Sequence, residues 1–200
     1  MPLAFCRVNG LQCRQKRRQE NEKLFNECRP HRTRGSHNVC RAAKRLQERI
    51  GQGVKSGQLT PRETANLENK ERAVNGEVRA DRNANGGRLT GAERAQVNGQ
   101  HQNLSKQIYT DKHNSAKDDF GNSEVGRREA SQQQRIGNGI QSGRLNAGET
   151  SRLENREDGV KSEIHADRSA NGGKLTPGER GAVNKQQNQL SQSIYKDKHN

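Results

Sequence analysis

The chain has 200 residues, a net charge of +14, 30% charged residues and only 26% hydrophobic residues, and it lacks tryptophan. This composition lies near the limit at which buried apolar surface no longer offsets chain entropy, which excludes one large hydrophobic core. No stretch approaches the ~20 apolar residues of a membrane-spanning helix, so we expect no membrane span.

Residues 1–46 form the first predicted unit, a basic N-terminal arm with 12 Lys or Arg residues against 3 Asp or Glu residues. This surplus favours a polyanion such as nucleic acid, anionic lipid or acidic polysaccharide. The same composition is typical of a solvated, poorly ordered leader. The arm lacks the apolar stretch of a signal peptide. The predicted polyanion-binding residues are Arg14, Lys16, Arg17, Arg18, Arg29, Arg32, Arg34, Arg41, Lys44 and Arg45.

The arm also holds all four cysteines of the chain. Cys28-x-x-His31 and His37-x-x-Cys40 are mirrored pairs of thiolate and imidazole groups, and four such ligands can enclose a tetrahedral zinc ion. The interval between the pairs is shorter than the usual finger spacing, so chance placement is the alternative. Disulfides are a third possibility if the protein is exported.

Residues 47–114 and 133–200 are one sequence written twice, with residues 115–132 as a spacer leading into the second copy. The copies align without a gap at a shift of 86 residues and are identical at 38 of 68 positions. Self-similarity of this strength indicates duplication. A weaker repeat, at a shift of 30 residues, lies inside each copy.

One helix-start signature occurs four times in the two copies. A Thr or Asn at the N-cap precedes a Glu by three residues, which is the pattern of a capping box, and Pro often follows the cap. Glycines stand just before these caps, where a preceding helix needs a left-handed terminator. The four boxes join Thr60 to Glu63, Thr90 to Glu93, Asn146 to Glu149, and Thr176 to Glu179.

Apolar residues follow each cap at helical spacing, so the predicted fold is all-α, with two tandem three-helix units of helix–glycine turn–helix hairpins. A basic, poorly ordered arm precedes them. Tyr109 and Tyr195 each follow an isoleucine, and we predict that they belong to the apolar seams. The predicted helices span about 44–56, 61–83 and 91–112 in the first copy, and about 128–142, 147–169 and 177–198 in the second.

The loops after the second helix of each copy are similar to an EF-hand. Such a loop places oxygen ligands at positions 1, 3 and 5, glycine at 6 and glutamate at 12. Here a second glycine moves the glutamate to position 13, and each loop has only two carboxylates, so any calcium site is predicted to be weak. Helix capping explains the same residues. The candidate ligands are Asp81, Asn83, Asn85 and Glu93 in the first copy, and Asp167, Ser169, Asn171 and Glu179 in the second.

Gly-x-Leu-Thr-Pro-x-Glu at residues 57–63, followed by Ile-Tyr-x-x-Lys-His at residues 108–113, resembles a group of uncharacterised small bacterial proteins. These proteins are exported or periplasmic and are often duplicated in the same way. The resemblance covers residues 47–200 and implies a helical fold in a periplasmic or secreted setting. It implies no activity. Residues 1–40 depart from the apolar export signal with which such proteins start.

Catalytic motifs are missing from the chain, which has no GxSxG, no HExxH and no phosphate-binding glycine loop with its lysine. We therefore expect a non-enzymatic tandem-repeat binding or structural protein of the bacterial cell envelope. Its partner would be an unidentified protein or envelope component, and duplication would make it bivalent. The alternatives are nucleic-acid or other polyanion binding through the arm, and weak EF-hand-like calcium binding with no other cofactor.

Overall fold

The computed structural model describes residues 34–199, and the predicted all-α fold is confirmed over that range. Six helices follow one another, and the described residues contain no strand. None of these helices is long and apolar enough to cross a membrane. The helices are α1 (Arg34–Lys55), α2 (Pro61–Ala84), α3 (Gly91–His113), α4 (Glu124–Gln141), α5 (Ala147–Ala170) and α6 (Pro177–Lys198).

The four predicted capping boxes begin α2, α3, α5 and α6. At the start of α2, the Glu63 amide donates to the Thr60 hydroxyl at 3.3 Å, and the Thr60 amide donates to the Glu63 carboxylate at 2.9 Å. Each box therefore satisfies backbone donors that a helix start leaves without intrahelical partners. Between α2 and α3 the chain reverses through Gly86 and Gly87, whose φ angles of 62° and 88° favour glycine.

Helices α1 and α4 begin earlier than the apolar pattern indicates. The predicted starts were near residues 44 and 128, whereas α1 begins at Arg34 and α4 at Glu124. The physical reason is an earlier buried position in each helix: Val39 and Val125 are both 4% exposed and pack in apolar clusters. These two valines are also 86 residues apart, so the structural repeat extends upstream of residues 47 and 133. Helix α1 thus begins inside the segment assigned to the arm.

The two units pack on each other through their first and second helices, α1 against α4 and α2 against α5. Helix α3 packs on α1 and α2, and α6 packs on α4 and α5. One central apolar cluster spans both units, and a smaller cluster lies within each unit. The apolar seams of the two units therefore form one shared core. The seam of one unit alone would not form a core of this size. The central cluster contains Leu46, Ile50, Val54, Leu59, Leu67, Leu104, Ile108, Ile136, Ile140, Leu145, Leu153, Leu190 and Ile194.

The first part of the spacer is docked against both units. The Asp118 amide donates to the Gly57 carbonyl at 2.9 Å, and the Asp118 carboxylate, which is 2% exposed, forms an ion pair with Lys161 of α5. Two residues later, the carbonyl of Phe120 lies so close to Gly126 that a Cβ there would lie 1.5 Å from its oxygen. The spacer therefore holds the turn of the first unit against α4 and α5 of the second.

Candidate functional site

The EF-hand-like residues of the first unit are used mainly to end α2 and to begin α3. Asp81 and Asn83 lie in the last turn of α2, and Asn85 is its C-cap. Glu93 accepts from the Thr90 amide at 2.7 Å and from the Asn85 side-chain amide at 2.7 Å. The side-chain NH2 group of Asn85, and not its side-chain oxygen, therefore faces Glu93. The geometry is that of a helix cap.

The second loop repeats this arrangement. Asn171 caps α5 and donates to the Glu179 carboxylate at 2.8 Å, and Glu179 also accepts from the Thr176 amide at 2.7 Å. Asp167 and Ser169 lie in the last turn of α5. Burial and the negative charges of Glu179 and Glu163 raise the pKa of Asp167.

No three or more His, Cys, Asp and Glu side chains in the described part of the chain are grouped so that they could hold a metal ion. Calcium binding by the two loops stays a prediction. The zinc prediction falls mostly outside the described residues, because Cys28 and His31 precede residue 34. His37 lies in α1, and Cys40, three residues further, is partly buried in the same helix.

Some of the predicted polyanion-binding residues lie within the described range, and the others precede residue 34. Arg34 is the first residue of α1, and Arg41, Lys44 and Arg45 are exposed along that helix. The other predicted residues lie outside the described range: Arg14, Lys16, Arg17, Arg18, Arg29 and Arg32.

The prediction that Tyr109 and Tyr195 belong to the apolar seams is wrong. They are 59% and 62% exposed, and each stacks on a histidine one turn later in its own helix, His113 or His199, with ring centroids 4.1 and 4.2 Å apart. The preceding isoleucines, both 0% exposed, fill the seams. A helix turns by about 100° per residue, which carries the following tyrosine onto the outer face.

A pocket of about 500 Å³ lies in the first unit, between α1, α2, α3 and the turn that joins α4 to α5. Its volume falls in the range of small-molecule sites, about 300–1,000 Å³. The apolar part of its wall comes from Val39, Ala43, Val78, Ile140, Leu145 and Ala147, and its polar part includes Cys40, Gln47, Glu71, Asn75 and His101.

Glu71 is the most deeply buried ionisable group in the pocket wall, at 1% exposure. Burial raises the pKa of its carboxyl group to about 7, and the nearby amide of Asn75 offsets part of that rise. Neither carboxylate oxygen makes a hydrogen bond of normal geometry to another residue of the described range. A buried acceptor in this state is costly unless something donates to it.

His101 supplies a second buried polar group, at 4% exposure. Burial lowers the pKa of its imidazole, so the ring is neutral near pH 7. Its two ring nitrogens likewise have no hydrogen-bond partner within the described residues. The pocket therefore combines an apolar wall with two buried groups that are able to orient a ligand.

The two copies differ in four residues at the equivalent position of the second unit. Glu129, 9% exposed, stands where the first unit has Ala43. Gln187 stands in place of His101, and its amide donates to the Val125 carbonyl at 3.1 Å.

Gln132, in place of Leu46, donates to the backbone carbonyl of Gln187 at 2.6 Å and so joins α4 to α6. Lys161, in place of Asn75, pairs with Asp118 of the spacer. The chain's own spacer thus occupies, in the second unit, the position equivalent to the pocket.

A row of buried carboxyl groups continues from the pocket into the junction between α2 and α5. Glu68 and Glu154 are both 0% exposed and accept from Gln47 and Gln133 at 3.1 and 3.0 Å. Burial raises the pKa of each to about 8, and the proximity of Glu68 contributes to the rise at Glu154. Burial likewise raises the pKa of Glu157, next to Glu154 in this row.

The sequence analysis missed these acidic residues, although a signal was present. Glu-Asn-x-Glu occurs at residues 68–71 and again at residues 154–157. The spacing of three places both glutamates on one helix face, and Val74 and Val78 continue that face with helical spacing. In this chain, a glutamate on the same helix face as an apolar seam therefore indicates a buried carboxyl group.

Comparison of the chain with protein families, with curated proteins and with solved structures found no match.

Proposed function

We propose that this chain is a non-enzymatic binding protein that holds a small, largely apolar molecule in the pocket of its first unit. The observation that carries the proposal is the difference between the two copies. At the equivalent position the second unit has Glu129, Gln187 and the docked spacer, whereas the first unit has the smaller Ala43, and His101 in place of Gln187, in the wall of its pocket.

The lining supports a small-molecule site. Most of the wall's surface is apolar, and a few convergent polar groups are available to fix the orientation of a ligand. The second unit forms part of the pocket wall, since its α4–α5 turn contributes Ile140 and Leu145. Duplication therefore completes the first unit's site. The cell-envelope setting implied by the resemblance stays part of this proposal.

The test uses the full chain with methyl-labelled side chains, titrated with 1-hexanol and followed by nuclear magnetic resonance. We expect methyl shifts confined to Val39, Val78, Ile140 and Leu145, with a Kd in about the millimolar range for so small a ligand. Shifts scattered over the surface, or none, would contradict the proposal.

A matched pair of variants fixes the location. Ala43→Phe places a large side chain in the pocket and should abolish the shifts. Ala42→Phe, at the neighbouring α1 residue that does not line the pocket, should leave them unchanged. Equal binding by both variants would also contradict the proposal.

A further inference from the structure

Resting on the proposed pocket, we propose that its ligand is a small organic cation, a primary ammonium group on an apolar body, with the ammonium held between Glu71 and His101. The apolar body would lie against the valine, isoleucine and leucine side chains of the wall.

The interior of the bundle has ionisable groups of the sign that such a ligand needs. Over residues 38–199 the buried ionisable side chains are Glu68, Glu71, Asp118, Glu129, Glu154, Glu157 and His101, and no Lys or Arg is buried. Burial raises the pKa of Glu71 to about 7, and a cation beside it favours the carboxylate, with which Coulomb attraction is strong in a water-poor setting. A carboxylate ligand would disfavour that ionisation.

The hydrogen-bonding chemistry points the same way. A primary ammonium has three donors and no acceptor. Glu71, once ionised, and neutral His101 present acceptors to the pocket, and the nearby Asn75 amide is also able to donate to Glu71. Asn75 lines the same wall, and its amide oxygen can accept the third N–H.

The second unit shows which charge the equivalent wall accommodates. At the position of Asn75 it carries Lys161, whose ammonium group pairs with the spacer residue Asp118. The first unit has Asn75 at that position and carries Glu71 as the counterpart of Glu157. A ligand ammonium in the first unit would place a positive group on the equivalent wall.

Three basic side chains contribute to the pocket lining. Arg41 and Lys44 of α1 are exposed, Lys44 lies 4.0 Å from Glu48, and Arg82 of α2 is half-buried. Water and salt screen exposed charges, whereas Glu71 is 1% exposed. The other ionisable groups facing Glu71 are His101 and Cys40 in the pocket and Glu68 one turn earlier in α2.

Binding should release a proton. Burial holds the pKa of free Glu71 at about 7, and a bound ammonium would favour the carboxylate and lower that pKa. Affinity for the cation should therefore rise between about pH 5.5 and about pH 8 and then level off, until the amine itself loses its proton near pH 10.

The experiment compares n-hexylamine, 1-hexanol and hexanoate, which share an apolar body and differ in charge. Calorimetric titration of the full chain near pH 8 should give an affinity for hexylamine at least tenfold above that for hexanol, with hexanoate weakest. Near pH 6, titration in two buffers of different ionisation enthalpy should show proton release with hexylamine and none with hexanol.

Two variants test the residues. Glu71→Gln keeps the shape of the side chain, and it should cut hexylamine affinity at least tenfold, abolish proton release and spare hexanol. Asn75→Lys supplies the ammonium found in the second unit and should block hexylamine independently of Glu71. Glu157→Gln, the matched change outside the pocket, should leave all three probes unaffected.

The outcomes separate the two proposals. If hexanol binds in the pocket and hexylamine binds no more tightly, the cation inference is overturned. The same holds if Glu71→Gln leaves hexylamine affinity unchanged. In both cases the proposed binding pocket is still supported. If none of the three probes binds, both proposals fail.

Discussion

Gly51 of α1 and Gly137 of α4 meet backbone to backbone where the two units cross. A Cβ added to Gly51 would lie 2.9 Å from the Gly137 carbonyl oxygen, and one added to Gly137 would lie 2.8 Å from the Gly51 carbonyl oxygen. These residues are equivalent in the two copies, so one duplicated glycine makes both sides of the contact. The close approach of α1 and α4 depends on the absence of both side chains.

We therefore expect Gly51→Ala and Gly137→Ala each to lower the free energy of unfolding by about 1–3 kcal/mol, because a methyl group forces the helices apart. Urea unfolding followed by circular dichroism measures this.

Gly76→Ala is the control for this pair. Gly76 also lies inside a helix, but an added Cβ there would meet nothing within 4 Å. That change should stabilise by about 0.5–1 kcal/mol through helix propensity. Stabilisation by all three substitutions would show that the crossing is not tight.

The buried carboxyl row predicts lower stability at higher pH. Burial raises the pKa of Glu68 and Glu154 from 4.5 to about 8, so between these values the folded state holds protons that the unfolded state has released. Their contribution is fully present below about pH 4.5 and is lost as pH rises through about 8. We expect the free energy of unfolding to fall by on the order of 3–7 kcal/mol between about pH 5.5 and about pH 9.

The double variant Glu68→Gln, Glu154→Gln should have a smaller pH dependence, and the remainder would come from the other buried carboxyl groups with raised pKa values, Glu71, Glu129 and Glu157. Exposed Glu48→Gln is the control and should keep it. Wild-type stability that is flat or rising over the same pH range would contradict the assignment.

Calcium should bind the two cap loops no more tightly than about 10⁻⁴–10⁻³ M, because Glu93 and Glu179 already accept from the helix caps and from Asn85 and Asn171. Calorimetric titration of the full chain measures this. Asp81→Ala together with Asp167→Ala should remove any heat of binding. A micromolar Kd, or heat that survives the double substitution, would show that calcium binds through other groups.

Sequence reasoning succeeded where the signal is local. The cap at Thr60 is complete within four residues, and the end of α6 depends on a helical pattern within one helix. The merger of the two units was not predicted, since Ile50 and Ile136 are 86 residues apart and their pattern fits an isolated seam equally well. The spacer was likewise predicted only to connect the two copies, because no apolar periodicity around Asp118 indicates that this residue is buried.

The pocket was beyond the sequence for a different reason. Glu71 shares a helix face with Val74 and Val78, which indicates burial, but the sequence does not show that α1 and α3 leave a pocket beside it. The second unit has Gln187 where the first has His101, and the sequence alone does not indicate which of the two residues lines a pocket. The difference between the copies has meaning only once the hydrogen bond from Gln187 to Val125 is known.

The basic arm yields the last prediction, which concerns nucleic acid. If residues 1–46 bind duplex DNA, each phosphate neutralised contributes about −0.9 to the slope of log K against log salt, and engagement of half of the 12 basic residues gives a slope near −5. Replacing Arg14, Lys16, Arg17 and Arg18 by Gln in the full chain should make the slope shallower by about 3 to 4.

A second variant with the same loss of charge separates the arm from the net charge. It carries Gln at four exposed positions of the second unit, namely Arg152, Lys174, Lys185 and Lys196. Residues 133–200 hold 11 Lys or Arg residues against 8 Asp or Glu residues, so their charge is nearly balanced and we expect the slope to change by less than about 1. Measured over a salt series, equal changes in the two variants would place the affinity in overall charge rather than in the arm. Undetectable DNA binding by wild type at low salt would remove the polyanion alternative.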